Sequence, residues 1–338
     1  MPSPKIVILG TGGTIAGQAD ASTQGVGYRA GQITVEGLIG AVPDLPQIAA
    51  GRTGAVLQAQ QLAQIDSKDM DWSVWRSLLQ AVSEGLADAS VQALLITHGT
   101  DTLEETAWLL HAVLQPHKPV VLTCAMRPAT SLQADGPQNL RDAVAVAAAG
   151  RAGVWVVAAG EVHAASEVLK VHPYRLNALR SYEGGPCACV EEGLVRWLVS
   201  EPVMQQAWTP EQLQALLARH DLPWVEVLQS GALQGRRAVH ALLAAGVQGL
   251  VIEATGNATV HLDLQRALNA ARSQGVKVWR STRCLEGRPV GQGVVAENAD
   301  DAIAARLAVA VDAQELDCVL LPPSKARVAM MLELARNS

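Results

Sequence analysis

Two threonines sit among glycines in IVILGTGGTIAG, residues 6 to 17, and two more flank an aspartate in ITHGTDT, residues 96 to 102. In each stretch an apolar run breaks into glycine and hydroxyl residues, as a parallel strand does where its backbone turns tightly towards a ligand. Two chemistries fit such a turn. Glycines after a strand can cradle phosphate, whereas a hydroxyl held there, Thr11 or Thr14, can act as a nucleophile once a neighbour takes its proton. The phosphate reading matches poorly. The glycines fall at Gly10, Gly12, Gly13 and Gly17 rather than as G-x-G-x-x-G, and the Gly-Lys-Ser/Thr of a Walker loop is missing. No strand ending in Asp or Glu follows within about 20 residues either.

The second stretch has two readings of similar weight. Asp101 or Thr102 can cap a helix while Thr100 fills the turn. Alternatively, because the carboxyl ends of parallel strands face the ligand crevice, Thr14 and Thr100 can share one rim. Lys170, a lone cation in SEVLKVHPYR, would serve as a base if buried, although a solvated lysine is the commoner case. The eight histidines form neither H-E-x-x-H nor H-x-H, and G-x-S-x-G is missing, so neither a metal site nor a serine elbow is expected.

Such turns need a rigid frame, and the chain supplies the pattern of one. Short apolar runs alternate with amphipathic segments, as in a mainly parallel sheet with helices on its faces. Strands are predicted at Ile6–Leu9, Ala93–Thr97, Val120–Cys124 and Val154–Ala158, then at Val225–Leu228, Leu250–Glu253, Val276–Arg280 and Cys318–Leu321. Thr102-Leu103-Glu104-Glu105 predicts a capping box opening a helix to about Leu114, and Thr209-Pro210-Glu211-Gln212 predicts another. At 338 residues the chain exceeds what one core usually serves. The expected fold class is α/β, with a large N-terminal domain on a mainly parallel sheet (1–195), a linker (196–222) and a smaller C-terminal α/β domain (223–338).

Composition narrows the function classes. With 49% hydrophobic and 17% charged residues the chain is globular rather than disordered. A formal net charge of −6, no basic run and no phenylalanine disfavour nucleic-acid partners, which need phosphate neutralisation and base-stacking rings. No apolar run approaches the roughly 20 residues of a membrane helix. The first predicted strand begins almost at once, without a charged-then-apolar leader, and the five scattered cysteines read as free thiols, so a cytoplasmic setting is expected.

TGGTIAG at 11 to 17 and HGTDTLEETA at 98 to 107 resemble the two signature motifs of the bacterial-type L-asparaginase/glutaminase family. The likeness continues through DSKDM at 66 to 70, AMRPATSLQADGPQNL at 125 to 140 and SKARVAM at 324 to 330, and so covers nearly the whole chain. The resemblance implies a large N-terminal and a smaller C-terminal α/β domain, assembled as a homotetramer of intimate dimers. It implies that Thr14 is the nucleophile, that Tyr28, on the loop TQGVGYRAG, closes over substrate and assists it, and that Thr100, Asp101 and Lys170 form a second catalytic group. Ser67 and Asp101 would hold the substrate α-carboxylate and α-ammonium, with Lys68 beside them, and Gly13 and Gly99 would present backbone. Asn257, in EATGNATV, resembles a residue that reaches a neighbouring subunit's site.

The implied reaction hydrolyses L-asparagine to L-aspartate and ammonia through an acyl-threonine ester, with no metal or organic cofactor. A glutaminase-asparaginase of mixed specificity and a non-catalytic amino-acid sensor on the same fold are the alternatives. A tRNA-dependent amidotransferase subunit is disfavoured by the acidic charge. Three positions depart from the family pattern. Lys68 stands where Gln or Glu is common, ASEVLKV lacks the Arg and Thr of AREVTKT, and in STRCLEGRPVGQG Glu286 is off the register of the acidic residue that some members lend to the adjacent subunit.

Overall fold

A computed structural model describes residues 3–23, 26–199, 208–290 and 316–337. Part of the expected linker (200–207), Gln24 and Gly25 of the Tyr28 loop, and the end of STRCLEGRPVGQG lie outside these. The chain divides into two compact units, Met1–Leu217 and Ala218–Ser338.

In the first unit the strands are β1 (Lys5–Gly12), β2 (Val56–Ile65), β3 (Val91–Thr97), β4 (Pro119–Thr123), β5 (Gly153–Ala158), β6 (Glu161–Ala164), β7 (Val168–Lys170), β8 (Leu179–Ser181), β9 (Ala188–Glu191) and β10 (Leu194–Trp197). Its helices are α1 (Val35–Gly40), α2 (Leu45–Thr53), α3 (Trp72–Ala87), α4 (Leu103–Leu114), α5 (Gly136–Ala148) and α6 (Pro210–Leu217). Eight strands form one sheet in the order β10-β9-β6-β5-β4-β3-β1-β2, and β7 and β8 make a separate antiparallel hairpin. The run from β2 to β5 is parallel, while β6, β9 and β10 add an antiparallel edge.

Strands β1, β3, β4 and β5 are apolar on both faces because both faces are covered. Ile6, Ile8, Leu95 and Val121 pack against residues of α1, α2 and α5, and α3 and α4 pack on each other and on β3 and β5. From β1 the chain passes outward to β2 and then returns to the opposite side of β1 as β3. This reversal is the topological switch point at which open α/β sheets form a crevice beyond the strand ends. The turns after β1 and β3 are those carrying Thr14 and Thr100.

The predicted strands are present, although Cys318–Leu321 shortens to a pairing over Asp317–Cys318. Sequence periodicity missed β2, whose glutamine-rich VLQAQQLAQI lies at a half-exposed sheet edge, and the antiparallel strands β6 to β10, each too short to establish a period. The capping box at Thr209 forms: the Thr209 N–H donates to Gln212 Oε1 (3.0 Å) and the Gln212 N–H to Thr209 Oγ1 (3.3 Å). That at Thr102 does not. Its hydroxyl donates instead to the Ser67 carbonyl (2.8 Å), 35 residues away in sequence, because a tertiary acceptor competes with the helix terminus.

In the second unit β11 (Val225–Gln229), β12 (Gly249–Ala254), β13 (Lys277–Thr282) and β14 (Asp317–Cys318) form a parallel sheet in chain order. The helices are α7 (Arg237–Ala244), α8 (Leu262–Ser273) and α9 (Pro323–Arg336). Val239, Leu250, Ile252, Leu264 and Leu268 anchor its core. An ion pair from Lys277 to Glu333 ties β13 to α9.

Candidate active site

The turn after β1 is built around Gly13, whose φ of 80° lies in the left-handed region. A Cβ on Gly13 would lie 2.3 Å from the Gly99 nitrogen, so the β1 and β3 turns touch backbone to backbone. Of the two hydroxyls in TGGT, Thr11 is structural: it is buried and donates to the Thr97 carbonyl at 2.9 Å. Thr14 opens a short 3-10 turn through Ala16. Its Oγ1 lies 2.5 Å from the Tyr28 hydroxyl. The Tyr28 loop returns to β1 through paired backbone bonds between Gln18 and Arg29 (2.9 Å each) and from Gly31 N–H to Gly13 O (3.1 Å). Gly17 leaves room for the phenol, since a Cβ there would meet the Tyr28 ring at 2.9 Å.

The turn after β3 carries a second group. Lys170 Nζ, on a side chain only 18% exposed, donates to Thr100 Oγ1 (2.8 Å) and to Asp101 Oδ1 (2.5 Å). Ser67 lies between the turns and their flank: its Oγ accepts from the Asp101 N–H at 3.2 Å, and a Cβ on Gly99 would come within 2.5 Å of that oxygen. The close approach explains why both Gly13 and Gly99 must lack side chains. Asp101 thus uses its backbone on Ser67 and its carboxylate on Lys170. Gly13, Thr14, Tyr28, Ser67, Gly99, Thr100, Asp101 and Lys170 are joined through these two touching turns.

Lys68 and Asn257 are engaged differently. Lys68 turns its ammonium to Asp69 (2.6 Å) and Asp66 (3.3 Å) on a side chain 59% exposed. The hydrogen bond to Asp69, with Asp66 beside it, raises the Lys68 pKa and keeps it charged but locally neutralised. Asn257 belongs to the second unit, where its amide donates to the Val290 carbonyl (2.5 Å) and accepts from the Val290 N–H (2.7 Å). It thereby clips the chain after β13 as a peptide group would.

Buried polar residues set the shape of the β3 turn, and sequence reasoning assigned them no such part. His98 is fully buried, with Nδ1 2.7 Å from the Gly99 carbonyl and Nε2 3.0 Å from Thr106 Oγ1, which also accepts from Trp75 Nε1 (2.9 Å). The carbonyl can only accept, so Nδ1 carries the hydrogen and Nε2 accepts from the threonine hydroxyl. Burial pushes the imidazole down to about 4 and keeps it neutral. Asp135 accepts from the N–H groups of Met126 and Arg127 and from Asn139 Nδ2, so much of AMRPATSLQADGPQNL braces the ends of β4 and β5. Glu104, to which sequence reasoning gave no role of its own, receives the Lys170 N–H at 2.7 Å. No local spacing could show that contact.

A cavity of about 860 Å³ lies elsewhere in this unit, bordered by Asp135, Asn139, Asp142, Leu176 and Glu192 and by none of the candidate residues. The threonine groups have the clearer chemistry. A hydroxyl in contact with a phenol can pass its proton along that contact, and a hydroxyl held by an ammonium beside a carboxylate can order a second reactant.

Comparison with known proteins finds matches over both units of the chain. The family model described as "Asparaginase, N-terminal" matches residues 5–202, and that described as "Glutaminase/Asparaginase C-terminal domain" matches 224–338. A probable periplasmic L-asparaginase of Haemophilus influenzae is 35% identical, over 99% of this chain and 89% of that protein. A glutaminase-asparaginase of Pseudomonas fluorescens biotype A is 34% identical, over 98% and 86%. The crystal structure of a probable cytoplasmic L-asparaginase from Campylobacter jejuni superposes with a TM-score of 0.78 at 33% identity, covering 98% of this chain and 95% of that one.

Proposed function

The chain belongs to the L-asparaginase family of hydrolases, amidohydrolases of the asparaginase/glutaminase type, and from that premise we propose that it converts L-asparagine to L-aspartate and ammonia through an acyl-enzyme on Thr14. The observation that carries this reading is the 2.5 Å contact between Thr14 Oγ1 and the Tyr28 hydroxyl at the switch point of the sheet. A threonine hydroxyl is a weak nucleophile until a neighbour takes its proton, and in this reading Tyr28, its hydrogen-bonded neighbour, takes it. Thr14 Oγ adds to the side-chain amide carbon, and backbone N–H groups of the glycine turns stabilise the tetrahedral oxyanion. Collapse expels the nitrogen, which leaves as ammonia with the proton relayed from Tyr28.

The Thr14 ester is then cleaved by water. Thr100, held by Lys170 beside Asp101, orders that water, whose hydroxyl group becomes part of the aspartate carboxyl while its proton returns to Thr14 Oγ. Ser67 and Asp101 hold the substrate's α-carboxylate and α-ammonium. The chain acts as a homotetramer in the cytoplasm. Among the described residues no helix is long and apolar enough to cross a membrane.

A mixed glutaminase-asparaginase is the second reading, favoured by the Pseudomonas fluorescens relative at comparable identity. Glutamine adds one methylene, and a pocket discriminates that by only about 1–3 kcal/mol. Ammonia release from L-asparagine and L-glutamine, by the wild type and by Thr14→Ala, tests both readings. Release that disappears in the variant supports the acyl-threonine route and ranks the substrates. Wild-type inactivity on both would favour the sensor.

A further inference from the structure

We propose that Glu104 is a positioning residue for Lys170, acting through the lysine's backbone rather than its ammonium; this rests on the reading of Lys170 as part of the catalytic group. Lys170 ends β7, a three-residue strand that belongs to the small β7-β8 hairpin and not to the eight-stranded sheet. The sheet therefore does not fix its position. Within the hairpin the Val171 N–H bonds the Ala178 carbonyl on β8's side. Backbone groups alternate along a strand, so the Lys170 N–H faces away from β8. Glu104 Oε2 meets it there at 2.7 Å.

Glu104 is also the second residue of α4, the helix that follows Thr100 and Asp101 after its N-cap residue Thr102. Lys170 is thus held at both ends of its side chain: its N–H by the first turn of α4, its Nζ by the two residues that lead into the same turn. This closes a short ring through one rigid helix terminus and fixes where a long, otherwise mobile side chain can reach. The carboxylate is well placed at that terminus, where the helix dipole favours negative charge. Only an acceptor oxygen is required by the Lys170 N–H, however, and that distinction makes the proposal testable.

The test compares Glu104→Ala with Glu104→Gln, whose amide oxygen still accepts. Expected are a kcat for L-asparagine about 10- to 100-fold lower in Glu104→Ala, as for a reacting group displaced by about 1 Å, with KM within about twofold of wild type. Glu104→Gln should recover to within about threefold of wild type. Hydrogen–deuterium exchange over residues 165–175 should show protection at Lys170 lost in Glu104→Ala and kept in Glu104→Gln. Wild-type kcat in Glu104→Ala would overturn the proposal, and so would equal impairment of the two variants, which would mean that charge matters and the acceptor does not. Absence of turnover by the wild type would instead overturn the functional reading beneath it, whereas turnover by the wild type with an unimpaired Glu104→Ala overturns only the positioning.

Discussion

Thr14 and Lys68 show how much a side chain's first partner decides. The Thr14 hydroxyl touches only Tyr28 in the hydrogen-bond network described above, so replacing it removes the proposed nucleophile and leaves the turn in place. Thr14→Ala is expected to lower kcat by about 10³-fold or more while asparagine binding, measured by calorimetry, stays detectable. Lys68 raises the opposite expectation. From sequence, its charge should repel a substrate ammonium, and Lys68→Gln should change KM. With Asp66 and Asp69 neutralising it, the charge is already screened. Lys68→Gln should therefore leave the asparagine KM within about twofold; a larger change would mean that the ammonium leaves its carboxylates when substrate binds. His98 carries a pH prediction. Its imidazole titrates near 6.5 when unfolded and is held down to about 4 in the fold. The unfolded chain therefore binds the extra proton over that window, and stability present above about pH 6.5 is lost as pH falls towards 4. Between pH 6.5 and 5 this costs about 2 kcal/mol, and urea unfolding at the two pH values should show that loss in the wild type and lack it in His98→Gln.

The start of α4 is where local and tertiary signals part. The residues Thr102-Leu103-Glu104-Glu105 spell a capping box, and so do Thr209-Pro210-Glu211-Gln212, yet only the second forms. At 209 the hydroxyl and the Gln212 amide bond each other, with no distant side-chain partner for either among the described residues. At 102 the hydroxyl donates to the Ser67 carbonyl and accepts no cap hydrogen bond from the first turn. The same contrast governs what was legible in the sequence. The strands buried on both faces could be read because solvent imposes a continuous apolar run, and TGGT and HGTDT because glycine and hydroxyl types betray a turn. The edge strand β2 and the His98–Thr106–Trp75 chain could not, because their partners lie 51, 8 and 31 positions away in sequence and leave no local signal; the antiparallel strands β6 to β10 are too short to establish a period. Thr102 separates the two roles experimentally. Aspartate is a good N-cap but has no proton to donate at neutral pH, so Thr102→Asp should raise KM and lower stability by about 1 kcal/mol, while Thr102→Ser stays close to wild type. Should Thr102→Asp be as stable and active as the wild type, the tie to Ser67 would be dispensable.

For the whole molecule, the open issue is whether one chain suffices for turnover. The groups on the first unit have their own mutual support: Thr14 with Tyr28, Thr100 and Asp101 with Lys170. Asn257 is the candidate residue on the second unit, and its amide is committed on both sides to Val290. If it also serves a neighbouring protomer's site, it does so from a loop clipped to Val290, which suits a positioning contact across a symmetric interface. Complementation distinguishes this from a purely structural clip. Thr14→Ala and Asn257→Ala would each be impaired alone. In an oligomer containing both, one site combines the intact Thr14 of one protomer with the intact Asn257 of the other, while the reciprocal site carries both lesions. Random pairing of equal amounts makes half of the pairs mixed and half of their sites intact, so about a quarter of wild-type activity should return. Recovery to that level, with the tetramer confirmed by light scattering, assigns Asn257 to its neighbour's reaction. Mixed oligomers with no more activity than the sum of the two variants assign it to its own loop and leave each protomer's site complete within one chain.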